Sequence, residues 1–179
     1  TGPVRRGFES LAIGEILLST RELFNRHIVR RARRGSPRSQ AIQSFFELGP
    51  KALEGVKIAD FTWILTGPLT TEYLANFGAQ VIKIESRTRL DGSRLTIPFK
   101  DGIEGVNRTG TFQVFNAGKR SLTVNLSHPR GREVAKKMVA WADVVAENFS
   151  PGTMDKWGLG YPELKKIKPD IIMLSASIQ

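Results

Sequence analysis

From Val56 onward the chain alternates short apolar runs with segments of helical spacing, and this alternation restricts the fold more than any other feature of the sequence. "VKIADF" (56–61), "QVIKIE" (80–85), "SLTVNL" (121–126), "DVVAEN" (143–148) and "DIIMLSAS" (170–177) have the lengths and apolar content of strands. Between them lie Leu69–Phe77, closed by Gly78, then Pro129–Trp141 with proline in its first turn, and a stretch reaching Lys168 with room for one helix or two. Repeated strand, helix, strand order argues for a parallel sheet with helices on both faces, an α/β fold. Right-handed crossovers then set the carboxyl ends of several strands along one edge, where open α/β sheets bind ligands. Residues 86–115, polar and glycine-bearing, form a long loop of the kind that covers a site or is mobile.

The first 50 residues differ from this pattern. They hold nine arginines, no lysine and four glutamates, so half of the +10 net charge sits there. Ile13, Leu17, Phe24 and Ile28 fall mostly at helical spacing, which predicts an amphipathic helix over Phe8–Arg34, ended by Gly35 and Pro37. Residues 1–50 therefore form an arginine-rich helical extension or linker, with a boundary near Gly49–Pro50, and 51–179 form the α/β part. A nucleic-acid arm or a remnant transit peptide suits the arginines. A solvated helix face accounts for the same charges, and four glutamates fit poorly with a transit peptide, so nucleic acid is not the expected partner. No apolar run approaches the roughly 18 to 20 residues of a membrane span, and none is expected. The chain has no cysteine, which leans toward a reducing, cytoplasmic setting, and its histidines, His27 and His128, are far apart, so no metal site is expected.

Three loops are candidate ligand sites. In "ENFSPG" a strand runs into a helix start: Ser150 can cap a helix beginning near Pro151, Phe149 can stack on a flat ring, and Lys156 can meet a phosphate. Ordinary capping with Phe149 packed inward is the equal alternative. "TWILTGP" follows the first strand, the usual nucleotide position, but lacks the G-x-G-x-x-G that lets backbone approach a pyrophosphate. Glu85 ends the second strand, where a dehydrogenase carries its ribose-binding acid, although a solvated strand-end acid is the plainer explanation. In "NAGKRSLTVNL", Lys119 and Arg120 either hold a phosphate or supply a partner for Glu147 across the sheet. No Ser-His-Asp, H-E-x-x-H or Walker pattern is present.

Five blocks in order, "LEGVKIADFTWILTGP", "FGAQVIKIE", "NAGKRSLTVNL", "ADVVAENFSPG" with "GLGY", and "PDIIMLSAS", resemble the class III coenzyme A transferases, the family of formyl-CoA transferase, carnitine CoA-transferase and α-methylacyl-CoA racemase. The likeness covers 51–179. It implies a Rossmann-like large domain, incomplete here relative to the family, with coenzyme A or an acyl-CoA bound along the strand ends, a carboxylic acid as the second substrate, and an interlocked homodimer. Carried over by position, Ile64, Leu65 and Thr66 of the first loop and Val124 of the third strand line the coenzyme site. Asn148 and Phe149 hold its pantetheine and adenine part, and Lys156 lies near a phosphate.

The match has departures. Many relatives place an arginine directly after "KIE"; here that position is Ser86, and the role passes to Arg87. The "N-x-N-K" turn of the family reads "NAGK", with Gly118 in place of the second asparagine, which suggests a positive φ. Family members are about twice this length or more, and their nucleophilic aspartate follows the "SAS" strand, beyond Gln179. The expectation is the amino-terminal part of an enzyme that moves CoA between carboxylic acids through an aspartyl-CoA intermediate, inactive as these 179 residues alone. An acyl-CoA racemase of the same family, an NAD-binding Rossmann domain and a basic nucleic-acid-binding module are the alternatives.

Overall fold

The computed structural model describes residues 51–176. The Phe8–Arg34 helix, the linker after it and the Gly49–Pro50 boundary lie outside the described residues. Strands β1 (Lys57–Asp60), β2 (Gln80–Glu85), β3 (Arg120–Thr123), β4 (Val144–Glu147) and β5 (Ile172–Ser175) form one sheet in the order β3-β2-β1-β4-β5. Every pairing is parallel. The chain moves outward from β1 to one side through β2 and β3, then returns to its other side as β4. The crevice of this sheet therefore opens between the loops that leave β1 and β4.

Successive residues of a strand point to opposite faces, and here both faces are covered, which is why the runs are nearly continuous in apolar residues. Ala59, Phe61, Ile84 and Val145 lie in one core with Ala135 and Val139 of α3 (Pro129–Trp141) and Leu164 of α5 (Tyr161–Ile167). Ile58, Val81 and Ala146 lie in the other, against Leu74 and Ala75 of α1 (Thr66–Asn76). Along α3 and its C-cap the buried and half-buried residues Ala135, Met138, Val139 and Ala142 recur at the three- and four-residue spacing of one helical face. The Nδ1 atom of His128 caps this helix by accepting from the Arg130 N–H at 3.2 Å. Gly131 lets the Asn125 carbonyl approach, since a Cβ there would lie 1.9 Å from that oxygen.

The α/β sheet with helices on both faces, expected from the pattern of runs, is observed, and the differences are local. Helix α1 begins at Thr66 rather than Leu69, because Pro68 falls in the first turn, where its missing N–H needs no acceptor. Strand β3 ends at Thr123, after which the Asn125 side chain accepts from Ser127 N at 3.0 Å and turns the chain. Residues 86–115 contain a helix not foreseen, α2 (Gly110–Phe115), whose N-cap is Thr109. Asp91, Ser93, Arg94, Thr109 and Phe112 are buried, so this excursion carries a small interior of its own. Ser150 does not cap a helix. Gly152, left-handed at φ +79°, stands at the cap position of α4 (Thr153–Lys156), and the Ser150 carbonyl accepts from Thr153 N at 3.1 Å. Gly118 has the positive φ suggested by the altered turn, +75°.

Candidate functional site

The site is built on the loop that leaves β1. Asp60, its last residue, is fully buried. Its Oδ1 accepts from the Thr62 N–H at 2.9 Å and from the Thr62 hydroxyl, and its Oδ2 accepts from Thr71 Oγ1 at 2.7 Å and Lys119 Nζ at 3.0 Å. Lys119 also donates to the Pro68 carbonyl at 2.8 Å and to Asn116 Oδ1 at 3.0 Å. One ammonium thus joins the end of β1, the first turn of α1 and the turn into β3. Burial pulls the Lys119 pKa below the usual lysine value, against the opposing pull of Asp60. The partner of Lys119 is Asp60, not Glu147, because Lys119 stands beside β1 and α1 while Glu147 accepts from its neighbour Phe149 N at 2.8 Å.

A second buried pair holds the middle of the loop. Lys83, inside β2 and 1% exposed, donates to the Thr62 carbonyl at 2.7 Å and lies 2.8 Å from Asp91 Oδ2. The latter contact is an ion pair without hydrogen-bond alignment. Asp91 Oδ1 accepts from Ile64 N at 3.0 Å, Ser93 N at 2.9 Å and Ser93 Oγ at 2.8 Å. Burial raises the Asp91 pKa, but the adjacent Lys83 charge and the hydrogen bonds from Ser93 outweigh it, and the net shift is downward. Ile64 itself is left-handed, φ +71°, a conformation rare for a β-branched residue.

Asn148, at the end of β4, spans the crevice. Its Oδ1 accepts from Trp63 N and its Nδ2 donates to the Trp63 carbonyl, each at 2.8 Å. Gly67 permits this packing: a Cβ there would lie 2.5 Å from Thr62 Cβ and 3.1 Å from Asn148 Cγ. Phe149 then sits edge-on between Trp63 (centroids 5.6 Å apart) and Trp157 (5.3 Å). These rings, with Phe61 and Val124, wall a small cavity of about 50 Å³ open to solvent along the strand ends, and Arg89 lies on its edge, 5.8 Å from the Trp63 ring centre.

Of the residues expected from the sequence, Val124 and Phe149 line this cavity, and Asn148 braces it from behind. Ile64, Leu65 and Thr66 are exposed on the same loop, leading into α1 and off the cavity wall. Arg87 and Lys156 are exposed and also lie off the wall, whereas Arg89 is on it. Glu85 lines the cavity but is neither solvated nor free for a ribose. It is buried and held by Arg94, whose Nε lies 3.1 and 3.0 Å from the two carboxylate oxygens and whose Nη2 donates to Oε1. Arg94 further donates through Nη1 to the Val106 carbonyl and Asn107 Oδ1, and stacks 3.5 Å from the Phe112 ring centre. The excursion 86–115 supplies this arginine, which removes the local argument for a dehydrogenase.

Asp60, Lys83, Asp91 and Arg94 were not foreseen as site residues. Lys83 carried a signal: a mid-strand lysine in a sheet covered on both faces must find an anion. Among the described residues no cluster of three or more His, Asp or Glu is placed to hold a metal, and no helix is long and apolar enough to cross a membrane.

Residues 53–179 match the family model described as CoA-transferase family III. The chain belongs to that family. Among curated relatives of the family III chain, the formyl-CoA:oxalate CoA-transferase of Afipia carboxidovorans is 38% identical over 128 residues, 70% of this chain and 28% of the relative. The succinyl-CoA–L-malate CoA-transferase beta subunit of Chloroflexus aurantiacus is 40% identical over 123 residues, 68% and 29% respectively. A CAIB/BAIF family protein from Brucella suis superposes with a TM-score of 0.64 at 38% identity, covering 71% of this chain and 33% of that one. The chain spans less than a third of the length of the curated relatives it matches here.

Proposed function

We propose that residues 51–179 are the coenzyme-binding, amino-terminal part of an enzyme that transfers CoA between carboxylic acids, and that the cavity at the crevice receives the coenzyme. The observation carrying this reading is the wall of Phe61, Trp63, Val124, Phe149 and Trp157 at the carboxyl ends of β1, β3 and β4, with Arg89 at its edge. An aromatic wall suits the adenine ring and the amide-rich pantetheine arm, while phosphates need cations that water can reach. Arg87, Arg89 and Lys156 are exposed, and among the described residues none has a carboxylate partner. Ile64, Leu65 and Thr66 add the lip of the first loop, and Asn148 and Phe149 its opposite side.

The transfer chemistry needs a nucleophilic carboxylate that forms first an acyl anhydride and then a thioester with CoA. Asp60 and Asp91 are both buried and paired, Asp143 is held by Lys168 at 2.7 Å and by the Lys57 N–H at 2.9 Å, and the exposed Asp101, Asp155 and Asp170 lie off the cavity wall. No aspartate of the described residues lines the cavity, which supports placing the aspartyl-CoA intermediate on a residue outside 1–179 and the absence of transfer by these residues alone. The parent is proposed to be a cytoplasmic, interlocked homodimer, and residues 1–50 an arginine-rich extension preceding the coenzyme-binding part.

Titration calorimetry of the 179-residue chain with CoA and separately with NADH tests the reading. A CoA response with no NADH response is expected; NADH binding without CoA binding overturns it.

A further inference from the structure

Around the loop that leaves β1 lie four charged side chains that contribute nothing to the cavity wall: Asp60 with Lys119, and Lys83 with Asp91, each at most 2% exposed. The first pair anchors the start of α1. The second is attached to the loop backbone itself, Lys83 through the Thr62 carbonyl and Asp91 through the Ile64 N–H. With Asn148 on Trp63, backbone polar groups of three consecutive residues are held by side chains from three other segments. Something must hold this stretch, because Ile64 at φ +71° is in a region its branched Cβ disfavours. Asp91 is the group bonded to the Ile64 N–H.

We propose that Lys83 and Asp91 are positioning residues for the coenzyme site: the Asp91 carboxylate oxygen fixes the left-handed turn at Ile64, Lys83 neutralises that carboxylate, and ligand affinity at the rim depends on a pair the ligand never touches. This rests on the coenzyme-binding reading. It is distinct from a purely structural role, in which the two charges matter only because each would be costly to bury alone.

Two double variants separate these roles, because both remove the charge pair while only one keeps the tether. K83M/D91N retains an oxygen that accepts from Ile64 N; K83M/D91A does not. Both are compared with the unaltered 179-residue chain by CoA calorimetry, thermal unfolding and hydrogen exchange at the Ile64 amide. K83M/D91N should bind CoA within about threefold of the unaltered chain. K83M/D91A should bind about tenfold more weakly, the factor set by one hydrogen bond of ordinary net strength, and its Ile64 amide should exchange at least tenfold faster while the sheet amides stay protected. If K83M/D91A does not fold, K83M/D91L, which fills the space of the carboxylate without an acceptor, takes its place.

Equal CoA affinity in the two doubles, or an Ile64 amide equally protected in both, overturns the proposal while leaving the coenzyme reading intact. Failure of both acceptor-less doubles to fold where K83M/D91N folds also overturns it, since the pair is then a folding element. An unaltered chain that ignores CoA overturns the reading, and this proposal with it.

Discussion

Asn148 offers the sharpest perturbation of the rim because its two ends do opposite things to one residue: Oδ1 accepts from Trp63 N and Nδ2 donates to Trp63 O, both at 2.8 Å. Asn148→Ala removes two hydrogen bonds of about 1 kcal/mol each, a loss of about 2 kcal/mol. Asn148→Asp keeps the acceptor but brings a second carboxylate oxygen to the Trp63 carbonyl. One bond is lost and two acceptors are apposed in a half-buried place, so the loss at pH 7 should equal or exceed that of the alanine variant, about 2–4 kcal/mol. Protonation reverses this, since a carboxylic acid can donate to the Trp63 carbonyl as the amide did. The introduced carboxyl should therefore have a folded-state pKa above its unfolded value of about 3.9. A raised folded pKa means stability present below the unfolded value and lost as pH rises through the folded one. The gap between Asn148→Asp and the unaltered chain should thus narrow from pH 7 to pH 4.5, while the gap for Asn148→Ala stays flat. Urea midpoints of the three chains at both pH values read this directly. An Asn148→Asp chain as stable as the unaltered one at pH 7, or a gap that widens in acid, would refute the two-ended brace.

Three further perturbations probe the support under the same loop. Lys119→Met strands the Asp60 carboxylate in the interior and should cost about 3–5 kcal/mol by chemical unfolding, with Lys119→Met/Asp60→Asn recovering part of it. Gly67→Ala places a Cβ 2.5 Å from Thr62 Cβ and should destabilise by about 1–3 kcal/mol, with a shift in Trp63 fluorescence as the loop is pushed outward. The lowered Asp91 pKa makes its contribution fully present above the ordinary value of 3.8 and lost as pH falls through the folded value below it. K83M/D91N should therefore show a shallower acid unfolding limb below about pH 4 than the unaltered chain, followed by circular dichroism.

The strands and the long helix were legible because their cause is local. A run such as "DVVAEN" and the repeat of Ala135, Met138, Val139 and Ala142 record the faces their residues bury. Helix α3 begins and ends where proline and the apolar stripe put it. The candidate site was legible only at its surface, in Val124 and Phe149. Its support is made of pairs far apart in the chain: Lys119 and Asp60 are 59 residues apart, and Asn148 and Trp63 are 85 apart. Such partners leave no periodicity. Glu85 and Arg94 are nine residues apart, but they meet only because the excursion folds back over the end of β2, which no local propensity encodes. Lys119 read as a phosphate ligand or a partner for Glu147, and Lys83 stands out only once the sheet is seen to be covered on both sides.

The cations around the rim divide into two populations with different consequences. Lys83, Arg94 and Lys119 are buried with carboxylates, so they shape the rim without attracting anything to it. Arg87, Arg89 and Lys156 remain in water, where attraction to a phosphate is weak at short range and screened beyond about 10 Å at 0.1 M salt. Under the proposed function, salt should weaken CoA binding only through these exposed cations. Raising ionic strength from 0.05 to 0.5 M should cost CoA affinity about tenfold or less, and leave the affinity for pantetheine, which has no phosphate, unchanged. A pantetheine affinity that falls in parallel with that of CoA would mean that the buried pairs are being disturbed by salt, and the separation between fixed support and exposed capture would be wrong.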